Sequence, residues 1–179
     1  PDEVLEREIM NHLFPDTTYG CESGGDPKNI PDLTYENFLN FHRTYYHPSN
    51  SYIYLYGNMD MEEKLAFLDE HYLSHFDYLD VDSVIQEQKE FGACRDVTLE
   101  YPVAENEGEE DNTYLSYNMV VGNAADSQMA MAFEVLDYAL LSAPGAPLKQ
   151  ALLDVKAGKD VYGSYDDGIL QPYFTVIAK

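Results

Sequence analysis

Positive charge is what this chain has least of. Ten Lys and Arg stand against 33 Asp and Glu, a formal net charge of −23. That balance repels phosphates, so neither nucleic acid nor an anionic membrane is expected as a partner, while cationic peptides are permitted. Cysteine is nearly as scarce. Cys21 and Cys94 are too few for a zinc ribbon and mark no disulfide framework, and a reducing, cytoplasmic setting is expected. No apolar run is long enough to span a bilayer. No signal-peptide pattern opens the chain, whose first residues, PDEVLEREIM, read as the middle of a longer protein. What is present in quantity is apolar: 45% of 179 residues, enough for a core in one large domain or two small ones.

Periodicity orders the rest. Leu5, Ile9 and Leu13 share one face of a helix over residues 4–14, stopped by Pro15. A loop rich in Gly, Pro, Asn and Asp follows over 16–32. Thr34 suits the N-cap of a second helix, with Phe38, Phe41, His42 and Tyr45 on one face and Pro48 as its stop. Residues 52–56 alternate Tyr with Ile53 and Leu55, the period of a buried strand. Asp60 and Glu63 resemble a capping box for a third helix. Residues 81–92 lack a sustained apolar face and are expected to be an exposed linker. Residues 97–103 and 114–121 read as a strand pair, a hairpin around the acidic turn at 105–111. Asp126 caps a helix facing inward through Met129, Phe133, Leu136 and Leu140. A short helix through Leu148, Leu152 and Val155 is ended by Gly158, and residues 173–178 form a last apolar strand. The expected class is α+β, an antiparallel or mixed sheet with helices packed on one face. From Tyr52 onward the order also permits one ferredoxin-like sheet.

FHRTYYHPSNSYIYLYGNMD, from Phe41 to Asp60, resembles the end of the first, catalytic-type unit of pitrilysin/insulinase zinc peptidases. LEREIMNHLFPDTTYGCESGGDPKNIPDLT resembles the presequence-protease branch in particular, and LKQALLDVKAGKDVYGSYDDGILQPYFTVIAK its second, non-catalytic unit. The resemblance implies an α+β fold like that of the LuxS/MPP-like metallopeptidases. It implies residues 1–80 as the end of the first unit, 81–95 as a linker and 96–179 as the start of the second. It also implies a parent that hydrolyses peptides on zinc in a closed chamber. The zinc motif of that family is H-x-x-E-H. The five histidines here, His12, His42, His47, His71 and His75, do not form it. The chain therefore resembles the inactive-domain segment, with no catalytic residue and no metal ligand of its own and zinc held elsewhere in the parent. The alternative is a non-catalytic binding or assembly module, an inactive subunit of a peptidase-like complex.

Within the chain, His71 and His75 have i, i+4 spacing that could hold a metal, but a third ligand is missing and a solvated helix surface is the plainer reading. His42 is expected to be half-buried, and Cys94 packed or inert. The strongest functional candidate is VYGSY, that is Val161, Tyr162, Gly163, Ser164 and Tyr165, together with residues 143–146. In the family this region faces the chamber and binds the N-terminal end of a peptide substrate by strand addition. Gly163 would let a second backbone approach.

Overall fold

The computed structural model describes residues 1–104, 108, 110 and 112–179, so most of the acidic turn expected at 105–111 lies outside the described residues. The chain packs as two units, Pro1–Ser23 with Ile85–Lys179, and Gly24–Val84. These compact units follow other lines than the 1–80, 81–95 and 96–179 division.

The larger unit is built on a three-stranded antiparallel sheet. Its strands are β1 (Leu115–Val120), β2 (Val161–Asp166) and β3 (Tyr173–Ala178), in the order β1-β3-β2. Tyr173–Ala178 takes the centre because it is apolar on both faces, and five of its six residues are buried. β1 meets it with Leu115 opposite Ala178, and β2 with Val161 opposite the same residue. One face packs under helices α4 (Ser127–Asp137) and α5 (Pro147–Asp154), joined by a π turn at Tyr138–Ser142. Val121, Leu141, Val161, Phe174, Val176 and Ala178 form that core. The other face is covered by α1 (Asp2–Leu13), whose Ile9 and Leu13, with Phe14, pack near Val120, Ile169 and Tyr173. The α+β class is as expected, but helices lie on both faces rather than one.

Local signals set the helix ends. Asp126 accepts from the backbone amides of Gln128 and Met129 at 3.1 and 3.0 Å, filling vacant bonds at the start of α4. Gly158 does not end α5. That role falls to Lys156, held at φ 57° with its amide bonded to the Leu153 carbonyl.

The expected hairpin of 97–103 with 114–121 does not form. β1 pairs with β3 instead, and Val97 and Leu99 are about half exposed. Pairing with a strand buried on both faces outweighs a local hairpin across a turn of repelling carboxylates. The 97–103 segment touches the start of β1 through Tyr101, whose hydroxyl donates to the Asn112 carbonyl and whose ring meets that of Tyr114 at 5.8 Å. Nor is the whole of 81–92 an exposed linker. Gln88 is 6% exposed. Its side chain accepts from the Asp16 amide at 2.9 Å and donates to the Asp16 carboxylate at 2.7 Å. Its backbone amide donates to the Gln171 side chain at 2.5 Å. A polar side chain satisfied on both ends anchors a segment that apolar pattern alone reads as loose.

In the smaller unit, α2 (Tyr35–Tyr45) starts at Thr34, whose hydroxyl oxygen accepts from the Asn37 amide at 3.1 Å. α3 (Met61–His71) starts at Asp60, which accepts from the Glu63 amide at 3.0 Å, while the Glu63 carboxylate turns to Lys64 at 2.8 Å. Residues 52–56 are not a buried strand. They pair with no strand among the described residues, and Tyr54 and Tyr56 are each 84% exposed. Alternation gives a segment strand propensity, but a strand needs a ladder partner to hold its amides. No residue between 24 and 84 is buried.

Candidate functional site

The structure brings together the two segments singled out by sequence. β2 carries Val161, Tyr162, Gly163, Ser164 and Tyr165 at the edge of the sheet. Residues 143–146 lie between the π turn and α5, beside the same edge. Leu141, Ala143, Ala146, Val161 and Gly163 line one cavity of about 430 Å3. The loop is shaped by its sequence. The π turn closes with the Ala143 amide on the Tyr138 carbonyl at 2.7 Å, Gly145 sits at φ 73°, and Pro147 opens α5. A β-carbon is disfavoured at that φ, which accounts for Gly145. Pro147 needs no amide partner at the first turn of a helix.

Ladder parity decides which backbone groups of β2 face outward. Asp160 and Lys179 exchange two bonds, amide to carbonyl, at 3.1 and 2.9 Å. In an antiparallel pair such exchanges fall on alternate residues. Tyr162, Ser164 and Asp166 therefore bond β3, and Val161, Gly163 and Tyr165 turn their amides and carbonyls away from it. The Val161 amide is taken by its neighbour, donating to the Asp160 side chain at 2.8 Å. Gly163 and Tyr165 are left presenting a donor and an acceptor each on a side where no strand lies among the described residues.

The side chains divide by face. Val161 is fully buried in the core, and the Tyr165 ring stacks on Phe133 at 5.4 Å. Tyr162 and Ser164 lie on the opposite face, where the Ser164 hydroxyl meets that of Thr175 at 3.4 Å. Burial, then the charge of Asp2, raises the Tyr162 phenol above its ordinary value, with further contributions from Tyr114 and Asp160 and an opposing one from Lys179. Burial, then Asp167, Glu134 and Asp126, does the same for Tyr165. Both phenols stay neutral at physiological pH, and the edge lies in a field of carboxylates. Residues 161–165 include no carboxylate, imidazole or thiol, so the segment offers binding groups rather than proton transfer.

Gly163 has a role in packing as well. A β-carbon there would collide with the Thr175 carbonyl oxygen and approach Leu141 Cδ1 to 2.7 Å. The close approach it permits within the chain is that of β3 and the π turn. Sequence reasoning missed Leu141 and Thr175 because nothing in a linear pattern marks the atoms that close on a glycine.

The other candidates fare as follows. His71 ends α3 and His75 lies in a separate turn, so the two do not share one helix face. Among the described residues no group of three or more His, Cys, Asp or Glu is placed to hold a metal. His42 is exposed rather than half-buried, and stacks on Tyr46 at 4.8 Å. Cys94 is exposed, which leaves the inert reading rather than the packed one, and Cys21 is exposed too. No helix among the described residues is long and apolar enough to cross a membrane.

Known proteins similar to this chain give its family. Residues 32–179 match the model of the peptidase M16 inactive domain. Protein HypA of Clostridium perfringens is 48% identical over 179 residues, covering all of this chain and 18% of that protein. Presequence protease 1, chloroplastic/mitochondrial, of Arabidopsis thaliana is 37% identical over 98% of this chain and 17% of its own length. The mitochondrial presequence protease of Mus musculus is 30% identical, also over 98% of this chain and 17% of its own length. The chain thus spans less than a fifth of the length of these relatives. It belongs to the M16, or pitrilysin/insulinase, peptidase family, as a segment carrying the inactive domain.

Proposed function

We propose that this chain is the scaffold and part of the substrate wall of a zinc-dependent endopeptidase that degrades peptides in a closed chamber. In this reading residues 1–80 end the catalytic-type unit, 81–95 link, and 96–179 begin the non-catalytic one. Zinc and the groups that activate water are supplied by the longer protein. A cytoplasmic setting rests on the two cysteines, both unpaired and exposed. The observation that carries the binding role is the open edge of β2, where Gly163 and Tyr165 aim donors and acceptors away from the sheet. Main-chain bonds of that kind give affinity with little demand on sequence, which suits a wall that must hold many peptides. Binding there is uniform and serves capture rather than the chemical step.

Peptide chemistry tests this without touching the protein. A short extended peptide is titrated into the intact chain and followed by fluorescence anisotropy. N-methylation at the residues facing the edge should weaken binding about tenfold or more, and at the alternate residues should leave it nearly unchanged. Equal tolerance of both patterns would show that binding does not occur by strand addition.

A further inference from the structure

We propose that the cavity beneath the open edge of β2 is a pocket that reads one aliphatic side chain of the peptide, a specificity that rests on the strand-addition reading above. Side chains of an added strand alternate between faces, as those of β2 do. A peptide residue beside Gly163 on the helical side of the sheet points where Val161 points, into the cavity of about 430 Å3. The lining there is mixed: the apolar Leu141, Ala143, Ala146, Leu153 and Val161 form one part, and the polar Ser142, Gln150 and Tyr162 the rest. Lys149 also borders it, with its ammonium drawn out to Asp160 at 3.4 Å, leaving its methylene stem to the pocket. Ala146, only 4% exposed, and Ala143 contribute single methyl groups, and the space exists because neither is larger.

Register makes the pocket matter. With the Val161 amide occupied by Asp160, the edge offers full donor–acceptor pairs only at Gly163 and Tyr165. So short a ladder fixes the sliding position of a peptide poorly, and a side chain seated in the pocket fixes it. Charge selects further. Asp2 and Asp160, offset in part by Lys179, act on Tyr162, and Asp126, Glu134 and Asp167 on Tyr165. The occupant is an extended peptide with a leucine-like residue in the pocket and neutral or basic neighbours.

Three blocked peptides, identical except for Leu, Ala or Asp at the central residue, would be titrated into the intact chain. Leu should bind about tenfold or more tighter than Ala, from the methylenes it buries, and Asp more weakly than either. Ala146→Leu, which fills the pocket, should remove the advantage of Leu over Ala. Ala143→Leu at the rim is the second variant should the first lose its melting transition. Equal affinities for Leu and Ala, with the N-methylation pattern intact, would overturn the pocket and leave strand addition standing. Failure of all three peptides to bind would overturn strand addition and the pocket with it.

Discussion

Single residues hold the candidate site in place, and Gly163 does so most directly. Its missing side chain is the space into which the Thr175 carbonyl and Leu141 close. Gly163→Ala should destabilise the chain by about 1–3 kcal/mol, read as a lower urea midpoint at unchanged slope. A neutral Gly163→Ala would mean that the contact with Thr175 and Leu141 relaxes without cost. The sequence marks this glycine as a point where another backbone can approach. It does not tell which backbone approaches, because Thr175 lies a dozen residues away across a ladder whose register no local pattern encodes.

Elements differ in how far their own sequence fixes them. α2, α3 and α4 begin where Thr34, Asp60 and Asp126 promise, since a cap acts within three residues. The strands are less local. Residues 52–56 and 97–103 have the alternation of strands but pair with no strand among the described residues, whereas β1 and β2 find β3. The linker shows the same limit. Gln88 ties it to Asp16 and Gln171, both far off in sequence. In wild-type protein, limited proteolysis should therefore cut residues 77–85 before 86–92. Gln88→Ala strands the Asp16 partners, should cost about 1–3 kcal/mol, and should open 86–92 to cleavage. Equal early cutting of both stretches in the wild type would show that the clasp does not hold.

At the scale of the whole molecule, the chain lacks the ligand set its family uses for chemistry. No H-x-x-E-H occurs in the sequence, and His71 and His75 sit in different elements. After dialysis it should retain well below one zinc per chain and show no chelator-sensitive cleavage of unstructured peptides. Stoichiometric zinc would contradict this. Family, fold class and helix starts are determined by sequence alone, because motifs, caps and apolar periods act over a few residues. Only the tertiary structure decides that β3 is central and β2 the edge, that α1 covers the second face, and that the 143–146 loop meets β2 around a cavity. Those depend on which distant segments bury the most apolar surface together, a competition among pairings that no local window contains.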